Sequence, residues 1–177
     1  MSQIPAELTI TPAREEDVPL VLDFIRKLAE YERLSAEVLA NESTIRESLF
    51  GANVAAEVLI AYWAKEPVGF AVYFPNFSTF LGRPGIYLED LFVAPGFRGR
   101  GIGKALLVHI AGIAKERNCA RLEWAVLDWN QPALDFYRSI GAVPLQDWTI
   151  FRLTGPSLDK LAQQNNGSWR DCGETDT

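Results

Sequence analysis

The stretch 86–104, IYLEDLFVAPGFRGRGIGK, constrains the fold more than any other part of the chain. Alternating apolar side chains give a short strand, Pro95 and Gly96 turn it, and a glycine-rich basic turn leads into an apolar repeat at Ile102, Leu106, Ile110 and Ile113. A period of two gives way to a period of about 3.6, which predicts strand, tight turn and helix in that order. Gly99, Gly101 and Gly103 remove side chains where the first free N–H groups of the helix stand. Those donors, the positive end of the helix dipole, and the cations Arg98, Arg100 and Lys104 suit an anionic guest.

Two common phosphate loops do not match these letters. A Walker loop needs glycine in place of Arg98 and a hydroxyl residue in place of Ala105. A dinucleotide fingerprint needs a third small residue where Leu106 or Lys104 stands.

At 177 residues the chain is expected to be one domain with a real core. Its net charge of −6 argues against nonspecific nucleic-acid binding and suits a small cationic substrate. Cys119 and Cys172 are far apart and lack metal-ligand spacing, so no metal is expected and a reducing compartment is. There is no signal-like N-terminus and no apolar run long enough to span a bilayer, so the expected location is the cytoplasm, away from membranes.

Along the chain, 8–11 reads as a first strand, and Val18, Val21, Leu22, Ile25, Leu28 and Ala29 mark a helix ending near Tyr31-Glu32. A second helix starts at Asn41 or Ser43 and stops at Gly51. Strands at 58–63 and 68–74 form an antiparallel hairpin, and 75–85 reads as a loop carrying Phe77 and Phe80. The long helix runs to about Asn118, and the strand after it, around 121–126, is expected to lie parallel to the central one through a right-handed crossover. Asn130 or Gln131 caps a further helix with Pro132 in its first turn, and Gly141 ends it. A last strand is predicted at 148–153, a helical turn at 158–162, and a mobile polar tail at 163–177. The architecture is an α/β sheet carrying helices on both faces.

R-x-x-G-x-G, read as Arg98, Gly101 and Gly103, resembles the acyl-CoA pyrophosphate loop of the GCN5-related N-acetyltransferases (GNAT). N-x-x-A-x-x-F-Y, at Asn130 to Tyr137, resembles a second element of that family. The resemblance implies a GNAT-type mixed, mostly antiparallel central sheet over 8–154, with acetyl-CoA as co-substrate and direct acetyl transfer to an amine. It further implies that Asn130 contacts the cofactor together with Arg98, Gly99, Arg100, Gly101, Ile102, Gly103 and Lys104. A bulge in the central strand, common in the family, would free N–H groups near Leu91, Phe92 and Val93 for the pantetheine arm and the acetyl oxygen.

Glu89 is the expected base, acting through a water on a cationic amine. Neighbours on a strand point to opposite faces, so Glu89 and Asp90 line one pocket only if the strand bulges. Tyr137 sits on an ordinary apolar helix face with Ala133, Phe136 and Ile140, where a tyrosine is commonly core; the resemblance makes it the acid that protonates the leaving thiolate. Cys119 follows the negative end of the long helix and reads as a small buried apolar residue, and His109, mid-helix, as structural or solvated.

YLEDLFV, RGRGIG and LDWNQPALDFYRSIGA resemble the diamine branch of the family, which includes spermidine/spermine and thialysine enzymes. LAEYE at the end of the first helix does as well, which implies that Tyr31 and Glu32 join the amine pocket of a homodimer. Ser78-Thr79-Phe80-Leu81-Gly82 resembles the thialysine-type loop, and its neutral Ser78 with Thr79 favours thialysine or a short amine over spermine. A protein or peptide N-acetyltransferase and a non-catalytic acyl-CoA-binding module are the alternatives; a missing base or acid would mark the latter, and Glu89 and Tyr137 are both present.

Overall fold

The computed structural model describes residues 5–165, which fall into two compact units dividing after Leu127. The expected tail lies outside the described residues beyond Asn165, as do Trp169 and Cys172.

The first unit is a five-stranded sheet whose spatial order follows the sequence: β1 (Leu8–Pro12), β2 (Glu57–Trp63), β3 (Glu66–Ser78), β4 (Arg83–Val93) and β5 (Leu122–Trp124). The first four strands pair antiparallel, and β5 lies parallel to β4, so the sheet is the mixed, mostly antiparallel one expected. Before β2 come α1 (Val18–Glu32) and α2 (Glu42–Phe50); α3 (Ile102–Glu116) is the crossover between β4 and β5.

Each helix begins and ends where the local chemistry dictates. A turn closed by Arg14 N–H on the Asp17 carboxylate (2.8 Å) feeds α1, which has a proline in its first turn and ends at Arg33 in the left-handed region. Asn41 caps α2 by accepting from Thr44 N–H at 3.1 Å. No side chain caps α3, which starts from Gly101 at φ +80°.

Both faces of the sheet are covered. Val21 and Phe24 of α1 pack on Val58, Ile60, Phe70, Val72 and Phe92, with Phe24 stacked on Phe70 at 5.3 Å between centroids. Alternation sends Leu59, Ala61 and Ala71 to the other face, where they are equally buried, and α3, with Ile102, Leu106 and Ile110 buried, lies against β2, β3 and β4. Arg117 ties the far end of α3 to the sheet: it holds the Glu57 carboxylate with both amino groups, and the Tyr73 hydroxyl donates to the same carboxylate at 3.2 Å. Burial, together with that carboxylate, pushes the Tyr73 phenol up to about 12.

The hairpin between β3 and β4 is longer than its composition suggests. Pairing continues to Ser78↔Arg83, so the expected loop at 75–85 shrinks to four residues, and Phe80 at the tip is 94% exposed.

The second unit holds α4 (Gln131–Ser139) and α5 (Gly155–Ala162). The predicted last strand at 148–153 is not formed; Trp148, Ile150 and Phe151 are exposed. Alternation says which side chains would share a face, but a strand exists only where another supplies its hydrogen bonds, and no described strand pairs with this segment. No helix among the described residues is long and apolar enough to cross a membrane.

Candidate active site

One register shift organises the first unit's polar side chains. Val72 opposes Asp90 and the next residue, Tyr73, opposes Leu88, which leaves Glu89 without a partner on β3. Phe92 and Val72 belong to the core under α1, so counting back two residues from Phe92 puts Asp90 on the α1 face. Tyr73 and its neighbour Glu57 reach Arg117 at the end of α3, so Leu88 opposite Tyr73 lies on the α3 face, and the following Glu89 falls on the α1 face. Adjacent carboxylates share a face because of the extra residue, which is the bulge expected here.

Glu32, the last residue of α1, completes the group. Burial above all, then the charges of Glu89 and Glu32, push the Asp90 carboxyl up to about 6. Burial also raises the Glu32 carboxyl above its usual range. No lysine or arginine is among the groups that act on Asp90. Among the described residues, no three carboxylate, imidazole or thiol groups stand where they could hold a metal ion. Glu32, Glu89 and Asp90 thus form an acidic cluster, whose charge suits a cation.

The open edge of β4 begins at the same bulge. β5 pairs only with Ile86, Tyr87 and Leu88, so beyond Leu88 that side of β4 has no described strand beside it. Ala94 N–H donates to Val68 O on β3, and alternation from there directs the Phe92 main chain toward β3 and those of Leu91 and Val93 toward the open side. The N–H groups of Leu91 and Val93 thus face the open side, while the N–H of Phe92 belongs to the ladder and its ring to the core.

Past β4 the chain makes the glycine-rich turn. Gly99 (φ +77°) and Gly101 (φ +80°) both occupy the left-handed region, and a Cβ at either would meet no protein atom within 4 Å. Uncapped N–H groups at the start of α3, with Lys104 exposed beside them, fit a phosphate-bearing ligand. The two arginines lie against aromatic rings. The Arg98 guanidinium lies 4.3 Å from the centre of the Tyr31 ring and 5.9 Å from that of Phe92, and its Nε donates to Val93 O at 3.0 Å. Arg100 lies over Trp63 at 5.3 Å and Phe97 at 5.0 Å. Trp63, at the end of β2, went unmarked in the sequence because an aromatic before a turn reads like any strand residue.

Ser78 and Thr79, also expected at the site, stand apart from the acids. Ser78 is six residues along β3 from Val72, the partner of Asp90, a span of about 20 Å. Its buried Oγ accepts from Leu81 N–H at 3.3 Å and so helps close the hairpin tip, next to Thr79. Asn130 and Tyr137 belong to the second unit. The Asn130 side chain accepts from Ala133 N–H at 3.4 Å at the start of α4, and Tyr137 packs beside Phe136 at 5.3 Å on the half-buried face of that helix.

Because the folded-state value of Asp90 lies above the usual 3.8, its stabilising contribution is complete at acid pH and is lost as pH rises through about 6. Asp90→Asn removes the ionised form and is expected to raise stability at pH 8 by on the order of 1–3 kcal/mol. Thermal unfolding at pH 4, 6 and 8 checks this: the gap between variant and parent should open with rising pH, and equal gaps at all three would contradict it.

The sequence profile described as the acetyltransferase (GNAT) family matches residues 23–142, a span that crosses the division between the two units. Over 168 residues the chain is 38% identical to the thialysine N-epsilon-acetyltransferase of Bos taurus, covering 89% of this chain and 98% of that protein. It is 28% identical over 198 residues to the L-ornithine N5-acetyltransferase of Arabidopsis thaliana, covering 86% and 87% of the two chains. An integron cassette protein from V. cholerae superposes with a TM-score of 0.76 at 29% identity, over 90% of this chain and 99% of that one. By its profile match and by its likeness to full-length relatives, the chain belongs to the acetyltransferase (GNAT) family.

Proposed function

We propose that the protein transfers an acetyl group from acetyl-CoA to a primary amine of a small cationic substrate, thialysine or another short diamine-like molecule. The observation that carries this reading is the pocket wall of Glu32, Glu89 and Asp90, whose charges no arginine or lysine offsets at Asp90. An ammonium group is the complement such a wall lacks. The family uses acetyl-CoA as co-substrate. Residues fitted to hold it are Leu91 and Val93 through their open-edge N–H groups, Gly99, Gly101, Ile102 and Gly103 through the uncapped start of α3, and Lys104 by charge. When bound it supplies the acetyl thioester.

An alkylamine with a pKa near 10.4 is neutral in only about one molecule per thousand at pH 7, so attack needs a group that removes its proton. Glu89, exposed beside the part-buried Asp90, takes that role through a water. Asp90 and Glu32 hold the substrate's charge, and N–H donors of the open edge hydrogen-bond the acetyl oxygen as charge grows on it. Tyr137 supplies the proton to the departing thiolate, and Asn130, already the cap of α4, contacts the cofactor. Ser78 and Thr79 stand too far along the hairpin from Asp90 to join the same chain's pocket, so a role for them in amine binding calls for a homodimer. We place the protein in the cytoplasm on its two widely separated cysteines.

Thiol release from acetyl-CoA with thialysine, lysine, putrescine, spermidine and a peptide amine tests the reading directly. Turnover should be highest with thialysine or a short diamine; release with the peptide alone would overturn the small-amine assignment. Tyr137→Phe should lower kcat by about 10²-fold or more while the acetyl-CoA Kd stays within about twofold. Normal turnover in that variant would remove Tyr137 from the chemistry. Gly101→Val places a branched side chain in a left-handed conformation at the helix start and is expected to weaken acetyl-CoA binding by at least about tenfold, read by calorimetric titration.

A further inference from the structure

Tyr73, the residue at which the register between β3 and β4 shifts, is buried, and its phenol is tied to two other elements. The hydroxyl donates to Glu57 Oε2 at 3.2 Å, and the Arg117 guanidinium holds both oxygens of that carboxylate, with 2.7 Å to Oε2. Tyr73 comes from β3, Glu57 opens β2 directly opposite it, and Arg117 closes α3. The hydrogen bonds from Arg117 hold the Glu57 carboxyl below its usual range, so the link is charged and complete at neutral pH.

The bulge is one of two registers open to these strands. With Val72 kept opposite Asp90, an uninterrupted ladder would set Tyr73 opposite Glu89 and Phe74 opposite Leu88. Glu89 would then share the α3 face with Tyr73, away from Asp90 and Glu32. In the structure Tyr73 faces Leu88 instead, and both are buried. Burial of Leu88 favours this register, but an apolar contact is non-directional. A carboxylate held by both amino groups of an arginine is directional, and it grips the one β3 side chain that stands next to the unpaired residue.

We infer that Tyr73, Glu57 and Arg117 are positioning residues of the amine site: by pinning Tyr73 on the α3 face they keep Leu88 opposite it, and so keep Glu89 beside Asp90 and Glu32 on the other face. This deepens the amine reading given above and rests on it. The three act through the strand pair, from the face opposite the acids.

The test compares Tyr73→Phe and Arg117→Gln with the parent protein. Tyr73→Phe keeps the ring and the ion pair and removes only the tie between them. Both variants should raise KM for the preferred amine by about three- to tenfold. The CoA Kd should stay within about twofold, because the start of α3 lies about 22 Å along the helix from Arg117. The double variant should be no worse in amine KM than the worse single one, and additive losses would overturn the link. Carbon NMR of the Asp90 carboxyl needs no substrate. Glu89 on the same strand and Glu32 from α1 face that carboxyl, and burial first, then their charges, hold it at about 6. Once Glu89 moves away, the midpoint should fall toward 3.8 in both variants. An unchanged Asp90 midpoint in both, whatever their unfolding temperatures, would make the three residues a stabilising cluster only and overturn the inference. If the parent protein acetylates no amine in the panel, the functional reading fails by itself, while the Asp90 midpoint still decides whether these residues set the direction of Glu89.

Discussion

Glu89 has no partner on β3, and the side chains around it take their directions from that omission. A regular ladder would place Glu89 and Asp90 on opposite faces of the sheet, one under α1 and one under α3. The extra residue brings both to α1, where Glu32 stands. It also marks the point beyond which β5 no longer pairs with β4, so the same position begins the edge on which Leu91 and Val93 offer their N–H groups. Next to the shift, Tyr73 is held by Glu57, and Glu57 by Arg117 at the end of α3, so the irregular pair of strands is fastened from the opposite face.

Gathering three acids on a partly buried surface has an energetic cost that the rest of the unit must offset. Desolvation and mutual repulsion both favour the protonated form of Asp90. The rings of Phe24, Phe70 and Phe92, packed on the same α1 face as the acids with Phe24 stacked on Phe70, supply rigid burial close by. A cation entering the pocket would relieve the repulsion, so the free energy stored there on folding becomes available on binding.

The parts read most directly from the letters were those where the period of the pattern changes. β4, the turn and α3 were legible because alternation stops, glycines follow, and apolar residues resume at helical spacing. The mixed sheet followed from the family resemblance, and the bulge was foreseen as the condition for Glu89 and Asp90 to share a pocket. Composition misled where polar letters hid a continuing ladder: Asn76 and Ser78 sit in paired strand, and the Ser78 oxygen is occupied by the Leu81 N–H of a tight tip. The segment 148–153 carries a strand-like pattern without a described partner, which alternation alone does not reveal. Arg98 and Arg100 were placed at the turn correctly, but a sequence motif carries no side-chain direction, and both guanidiniums go to aromatic rings. For Tyr137 and Asn130 the sequence located the helix and its cap, while their roles came from the family alone.

The open edge of β4 offers main-chain donors, and main-chain donors are the same whatever residues occupy the strand. The acids beside it, by contrast, are side chains that single substitutions can exchange, shorten or remove. Two kinds of recognition are thus written into one strand in separable chemistries, one in the invariant backbone and one in the variable side chains. A lineage with this architecture can change which molecule it accepts, substitution by substitution at Glu32, Glu89 and Asp90, while the backbone half of the site carries over unaltered. In this strand, inheritance of the common half and divergence of the selective half do not compete for the same atoms.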